Sequence, residues 1–176
     1  QAYDLIGGLW DLSTGLRLPI DSPDPAAQLY KLGEVVIVPE HARTELPPSA
    51  RELSVSFASG IKLRGCAAPS ADDPALLLFW QSTASVDTDY KIFVHYWDSE
   101  GNFSGGFDHV PAQGRFPTRY WQSGDWIVDK ITVPDKVSVS RVDLGFYDAV
   151  SLQRLAVIEP PQPDGIFSLP VACWKP

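Results

Sequence analysis

Residues 8–20 read GLWDLSTGLRLPI, and residues 145–157 read GFYDAVSLQRLAV. A glycine, an aromatic residue followed by aspartate, and an Arg-Leu pair recur in the same register without a gap. Each copy predicts a strand, a short turn and a second strand. A repeat has to be identified before a fold is assigned, and two copies are too few for a solenoid. We interpret the first copy as the closing hairpin of one β-domain and the second as that of a further, whole β-domain.

Aspartate occupies the same position in both copies, directly after the strand aromatic, as Asp11 and Asp148. Aspartate side chains accept hydrogen bonds from nearby backbone N–H groups, so the repeated position predicts a structural role in the turn. Arg17 and Arg154 also correspond, which predicts an Asp–Arg bridge across each hairpin. At an exposed position such a bridge contributes less than about 1 kcal/mol.

Between the two copies, the sequence is typical of short strands joined by tight turns. Residues 53–57 alternate between apolar and polar, residues 75–81 are almost wholly apolar, and residues 90–97 show the longest strand pattern. No window shows a sustained helical period with caps. We therefore predict an all-β antiparallel sandwich, jelly-roll or immunoglobulin-like, over residues 49–176. A hairpin, a strand and a linker from a partial repeat are predicted to precede it over residues 1–48.

The charge and hydropathy of the chain exclude several classes of partner. Its 176 residues carry a formal net charge of −8, whereas nucleic-acid surfaces need clustered lysine and arginine. No run reaches the ~18 apolar residues of a membrane span, and no basic-then-apolar leader is present, so direct membrane insertion is not expected. The chain begins at Gln1 and contains no methionine, from which we expect a processed or excised piece of a longer protein.

Histidine and cysteine are too scattered to predict a metal site. His41, His95 and His109 lack the paired spacing of zinc ligands, and no phosphate-cradling glycine loop precedes a helix. We expect neither a metal nor a cofactor. Cys66 and Cys173 leave two alternatives open: two buried free thiols, or a disulfide if the domain lies outside the cytoplasm.

A candidate binding surface lies on the strand over residues 90–97. Alternation places Phe93, His95 and Trp97, together with Lys91, on one side of that strand and a core face on the other. Aromatic rings beside polar groups are typical of a glycan-binding platform, since flat rings stack on sugars while polar neighbours bond hydroxyl groups. The alternative is that this face packs beneath a loop, such as the one that carries Arg119-Tyr120-Trp121.

The long irregular stretch 105–124 is a second candidate, because long loops on a sandwich tend to carry binding residues. Tyr120 and Arg119 are its candidate glycan-binding residues, whereas Trp121 is interpreted as a plug that fills the end of the sandwich. The chain holds more carboxylates than cations. We therefore expect Arg119 to pair with a carboxylate, Asp108 or Asp129, rather than to bind an anion.

Glycoside hydrolysis is the remaining chemistry to weigh, and it needs two acids about 5–10 Å apart. The candidates are Asp108, Asp125, Asp129 and Asp148. Sequence places no two of them across a cleft, and the counterpart of Asp148 in the first copy favours a turn role. No catalytic residue is predicted, and a glycoside hydrolase is the least favoured hypothesis for the function of the chain.

Residues 63–157 carry a wider resemblance, through motifs in a moderately specific order. They are Leu63-Arg64-Gly65, Leu78-Phe79-Trp80, Asp89-Tyr90-Lys91-Ile92-Phe93-Val94-His95, Asp98-Ser99-Glu100-Gly101, Asp108, Pro111, Gly114, Pro117-Thr118-Arg119-Tyr120-Trp121, Gly124-Asp125, Asp129, Gly145-Phe146-Tyr147-Asp148 and Arg154-Leu155. This part of the chain resembles the C-terminal extracytoplasmic β-sandwich module of bacterial membrane glycosyltransferases of the dolichyl-phosphate-mannose-protein mannosyltransferase type. Cys66 departs from that pattern, in which tyrosine is frequent at this place.

The resemblance implies a non-catalytic accessory module, facing the cell surface or the periplasm and tethered through a parent protein. Its partners would be a glycan and the membrane-embedded part of a parent glycosyltransferase. The transferase chemistry of such proteins lies in that membrane part, so no catalytic residue carries over to this chain. The alternative is a structural or protein-interaction spacer of a surface protein with several such modules.

Overall fold

The computed structural model describes residues 2–18, 29–36, 45–70, 74–133, 139–162 and 164–175. The chain divides into two compact units, Gln1–Pro39 and Glu40–Pro176. The first unit contains two antiparallel strands, β1 (Ala2–Gly7) and β2 (Tyr30–Val36). The hairpin predicted from the first copy of the repeat is formed close to its turn, where the Leu18 N–H donates to the carbonyl of Leu9 at 3.0 Å. Trp10 and Arg17 form one bridge at the turn, but β1 itself pairs with β2, and residues 19–28 lie outside the described part.

The second unit is an antiparallel β-sandwich, as the alternating strand patterns predict. In the described part of this unit, one sheet has five strands in the order β10-β3-β4-β5-β8, and the other has four in the order β11-β9-β6-β7. The strands of the first sheet are β3 (Arg51–Phe57), β4 (Ile61–Ala67), β5 (Leu76–Ser82), β8 (Trp126–Ile131) and β10 (Val157–Glu159). Those of the second are β6 (Tyr90–Trp97), β7 (Phe103–His109), β9 (Arg141–Asp148) and β11 (Phe167–Ser168).

The core lies between the two sheets and is built around a cluster of aromatic rings. Phe146 on β9 meets the edge of Trp80 with ring centroids 4.8 Å apart and that of Phe57 at 5.4 Å. Trp121 is fully buried beside them, and its Nε1 donates to the carbonyl of Phe116 at 3.1 Å. Trp121 thus occupies the position of a plug. Its burial is tolerated because its polar atom is hydrogen-bonded within the loop that carries it.

A disulfide joins the first sheet to the C-terminal segment. Cys66 on β4 and Cys173 are bonded at an S–S distance of 2.05 Å, and both residues are fully buried. Of the two alternatives that the sequence leaves open, this structure has the disulfide. Strand β11 covers two residues, and Cys173 lies beyond it in a 3₁₀ turn, Val171–Cys173.

The repeated motif folds into two turns with the same hydrogen bonds. The Asp11 N–H donates to the carbonyl of Leu16 at 2.9 Å, and the Asp148 N–H donates to that of Gln153 at 2.9 Å. Asp148 Oδ1 also accepts the N–H of the residue two positions on, at 2.7 Å, as Asp11 Oδ1 does at 2.8 Å. Hydrogen bonds to the carboxylates favour the charged form and lower both pKa values: the Ser13 hydroxyl and then the Ser13 N–H lower that of Asp11, and the N–H groups of Ser151 and then Val150 lower that of Asp148.

The structure corrects the prediction of an Asp–Arg bridge across each hairpin. Within the described residues, neither Asp11 nor Asp148 forms an ion pair with the arginine of its own hairpin, because turn donors occupy both carboxylates. The guanidinium of Arg154 lies instead over the ring of Phe93, with its Cζ 5.1 Å from the ring centroid.

Candidate functional site

The outer face of the four-stranded sheet carries the residues singled out from strand β6. Alternation along β6 turns Phe93, His95 and Trp97 away from the core, while Ile92 and Val94 are fully buried in it. Strand β6 lies between β7 and β9, so the outer residues of all three strands share one surface.

A row of four rings runs along this face, which we call the ring row: Phe93, His95, Phe103 and Trp97. The centroid of Phe93 lies 4.9 Å from that of His95, and His95 meets Phe103 edge-on at 5.4 Å. Phe103 in turn lies 5.7 Å from Trp97. Edge-to-face contacts at these separations are favourable for aromatic pairs.

Phe103 is the member of the ring row that the sequence reasoning missed. It is 58 % exposed, and the β6–β7 register places it opposite Trp97. Its backbone position could have been found from the sequence, because the turn at residues 98–102 brings residue 103 back beside the end of β6. The exposure of its side chain could not have been found in this way, since it depends on which other segments cover the strand.

Two arginines from elsewhere in the chain cover the ends of the ring row. The guanidinium of Arg154 lies over Phe93, and that of Arg141 lies over Trp97 at 4.5 Å. Phe93 is consequently 3 % exposed and cannot offer its ring to a sugar, contrary to the prediction. The expected loop does not provide this cover, because Arg154 belongs to the turn after β9.

A shallow pocket of about 240 Å³ opens beside the ring row. Within it, the Tyr147 hydroxyl donates to Asp108 Oδ2 at 2.9 Å. Burial, and secondarily Asp108, raises the pKa of Tyr147, which keeps the phenol protonated as a donor. The pocket thus combines apolar walls with a carboxylate, a phenol, an imidazole and a guanidinium; its lining residues are Phe93, His95, Asp108, Tyr147, Leu152 and Arg154.

The glycine of the second copy of the repeat allows this packing. Gly145 lies opposite Phe93 on β9, and a Cβ at that position would come within 2.6 Å of Phe93 Cζ and would overlap the carbonyl oxygen of Gly165. A side chain at residue 145 would therefore displace the Phe93 ring, which forms the floor under Arg154.

Leu152, a wall of the pocket, has a strained backbone. Its φ is 60°, in the left-handed region, whereas the corresponding residue of the first copy is Gly15, with φ of 70°. The left-handed conformation costs a residue with a Cβ about 1–2 kcal/mol, and glycine adopts it freely. The second copy thus keeps a leucine in a turn position that suits glycine, and its side chain is 69 % exposed at the pocket. Strain of this kind is found at functional sites.

Replacing Leu152 by glycine is expected to leave the free energy of unfolding unchanged or to raise it by up to about 1 kcal/mol, because relief of strain offsets the extra freedom of the unfolded chain. Val150→Gly is the matched control in the same turn, since Val150 is exposed and has no positive φ. It should lose about 0.5–1 kcal/mol. Urea unfolding of both variants checks this, and equal losses in the two would show that Leu152 is unstrained.

Arg119 and Tyr120 do not join the ring row. They lie in the 3₁₀ turn Thr118–Tyr120, where Arg119 pairs with Asp89 and its guanidinium lies 4.5 Å over the Tyr120 ring. Asp89 precedes the first residue of β6, whereas the ring row begins at Phe93. The prediction that Arg119 pairs with Asp108 or Asp129 is wrong, because both of these carboxylates accept hydrogen bonds from other groups.

Those donors differ for each candidate acid. Asp108 accepts the Tyr147 hydroxyl, and Asp125 Oδ2 accepts the N–H of Gln122 at 2.8 Å. Asp129 is fully buried, 2.7 Å from His109 Nε2, and it also accepts the N–H of Ala112 at 3.0 Å. Of the four candidates, Asp108 lines the pocket. Among the described residues, no group of three His, Cys, Asp or Glu side chains could hold a metal ion.

Comparison with protein families, with curated proteins and with solved structures finds no match to this chain. In the part of the chain that the structure describes, no helix has the length and apolar character needed to cross a membrane.

Proposed function

We propose that the sandwich is a non-catalytic glycan-binding module, with the pocket beside the ring row as its recognition site. One observation carries the proposal: the exposed ring of Phe103 continues a row of rings that leads to a pocket containing Arg154, Asp108 and Tyr147. Aromatic rings offer flat apolar surface to the C–H faces of a sugar. The polar groups offer both donors and acceptors to its hydroxyls.

The charges of the pocket suit a neutral or mildly polar ligand. Asp108 and Arg154 are opposite in sign and both line it, and the phenol of Tyr147 is held in place by Asp108. A rigid arrangement of this kind loses little entropy on binding. The open shape of the site buries only part of a ligand, so weak affinity is expected.

The module is further proposed to act outside the cytoplasm, as an accessory domain of a membrane glycosyltransferase system. The Cys66–Cys173 disulfide supports an oxidising compartment, where such bonds persist. The link to a membrane-embedded transferase rests on the motifs from Leu63 to Leu155. No cofactor, metal or nucleic acid has a role in this proposal.

The test is a titration of the full chain with a panel of bacterial surface oligosaccharides, followed by calorimetry. We expect saturable binding that weakens about tenfold or more in Phe103→Ala, which corresponds to loss of a stacking contact worth about 1.4 kcal/mol. Arg154→Gln should weaken it similarly. Ile158→Ala is the control, since Ile158 is comparably exposed but lies on the other sheet.

A second candidate is a protein-interaction or structural spacer. The packing of Arg154 on Phe93 and of Arg141 on Trp97 favours it, because the ring row is already partly covered. Under this alternative, no oligosaccharide gives a saturable signal and Phe103→Ala changes nothing.

If an oligosaccharide does bind, Tyr120→Ala separates the two candidate surfaces. Loss of binding in Tyr120→Ala, with binding unaffected in Phe103→Ala, would move the site to the Thr118–Tyr120 turn.

A further inference from the structure

The two-stranded first unit is the structural counterpart of the strands that close the sandwich. In β1–β2, Gly7 pairs with Tyr30 and Ile6 with Lys31. In β9–β11, Leu144 pairs with Phe167 and Asp143 with Ser168. All four pairs keep the offset of the sequence repeat, so β1 corresponds to β9 and β2 to β11. The correspondence therefore extends well past the repeated motif.

The connecting turns agree as closely as the strands. The Leu18 N–H donates to the carbonyl of Leu9 at 3.0 Å, and the Leu155 N–H donates to that of Phe146 at 2.9 Å. We call the described residues 2–18 and 29–36 the first ribbon, and the described residues 139–162 and 164–173, around β9–β11, the closing ribbon.

The core-facing positions of the two ribbons differ in exposure. Val142, Phe146 and Leu169 of the closing ribbon are 0 %, 0 % and 4 % exposed. Their counterparts Leu5, Leu9 and Leu32 are 50 %, 68 % and 64 % exposed. The first ribbon has apolar side chains where the closing ribbon has core residues, and they are not covered. Large apolar side chains that are exposed together mark interaction surfaces.

The strand edges differ in the same way. Strand β9 is flanked by β11 on one edge and by β6 on the other. Strand β1 pairs with β2 on one edge, and among the described residues its other edge has no strand beside it. A strand edge with no described strand beside it, next to an apolar face, can accept a further strand.

We infer that the first ribbon closes a second sandwich of the same kind. Its partner would be a module that supplies the equivalents of β3 to β8 and lacks a closing ribbon of its own. The β6-like strand would pair with the edge of β1 that faces away from β2, and the facing sheet of that module would cover Leu5, Leu9 and Leu32. A second copy of this chain does not fit as the partner, because its own β9–β11 ribbon already occupies that place.

The test supplies such a partner to the full chain. Residues 45–137 are added directly before Gln1, with Cys66→Ala in the added copy; by the repeat offset, Gln1 stands where residue 138 stands. Hydrogen exchange should then slow by about a hundredfold or more at the β1 amides, as expected for a strand brought into a cooperative core. An apolar dye should bind to the unextended chain and should no longer bind to the first ribbon in the fusion.

Three comparisons make the result decisive. Adding residues 45–175 instead supplies a complete sandwich, which must fold and must leave the first ribbon unprotected. Within the 45–137 fusion, Leu9→Asp should abolish the protection, whereas Leu12→Asp should not, since Leu12 is 95 % exposed in the turn. If β1 stays unprotected in the 45–137 fusion while the complete control folds, the inference is wrong. Protection of β1 in the unextended chain, with a dimer in solution, would overturn it in favour of a second copy as the occupant.

Discussion

Removal of the Cys66–Cys173 disulfide is expected to lower the free energy of unfolding of the sandwich by about 4–5 kcal/mol. The bond joins residues 107 positions apart, so it closes a loop that contains most of the second unit. Closing a loop of about 100 residues restricts the unfolded chain by about 4.7 kcal/mol in the chain-entropy treatment. Domains are stable by about 5–15 kcal/mol in total, so the reduced protein should be close to unfolding.

The measurement is urea unfolding followed by tryptophan fluorescence, with and without reductant. Cys66→Ala, Cys173→Ala and the double variant should each lose a similar amount, because each opens the same loop. Reductant should have no effect on the double variant, which serves as the control. Additive losses in the single variants, or a loss below about 1 kcal/mol in the double variant, would contradict the expectation.

Truncation of Phe146 to alanine is expected to cost about 3–5 kcal/mol, as for other buried aromatic residues. Phe146 is fully buried, and its ring meets three other rings edge-on: Trp80 at 4.8 Å, Phe57 at 5.4 Å and Trp121 at 6.4 Å. Alanine would leave a cavity between the sheets, and it would remove aromatic contacts that add about 0.5–1.5 kcal/mol per pair.

Two further variants make this prediction specific. Phe146→Leu should cost less than about 2 kcal/mol, because leucine retains most of the volume and the first copy of the repeat has Leu9 at this position. Phe103→Ala makes the same truncation at a ring that is largely exposed, and it should cost less than about 1 kcal/mol. Similar losses from Phe146→Ala and Phe103→Ala in thermal or urea unfolding would show that the ring cluster does not hold the sheets together.

The proposed glycan-binding site could be predicted only in part from the sequence. The alternation over residues 90–97 correctly assigns Phe93, His95 and Trp97 to the face opposite the core, because side chains on a strand alternate whatever the neighbours are. The alternation does not say what lies on that face. Arg154 is distant from Phe93 in sequence, and only the pairing of β6 with β9 and the turn that follows β9 bring the guanidinium over the ring.

The carboxylate that pairs with Arg119 could not be predicted from the sequence for a similar reason. The excess of carboxylates correctly indicates that Arg119 has an acidic partner, but it does not choose among the acids. The choice of Asp89 follows from Thr118, which accepts the Tyr90 N–H at 2.7 Å and donates to the carbonyl of Thr88 at 2.7 Å. Those bonds hold the turn next to Asp89, while Asp129 is committed to His109 inside the protein.

Local patterns in the sequence by themselves determine most strands of the sandwich, their inward faces and the two Asp-capped turns of the repeat. Alternation and turn chemistry act between residues a few positions apart, so they are legible without the fold. The tertiary structure alone decides that Cys66 meets Cys173, that Arg154 covers Phe93, and that β1 pairs with β2 while its apolar side chains stay exposed. Each of these depends on which distant segments the sheet order brings together, and the burial of a side chain is set by what lies across from it.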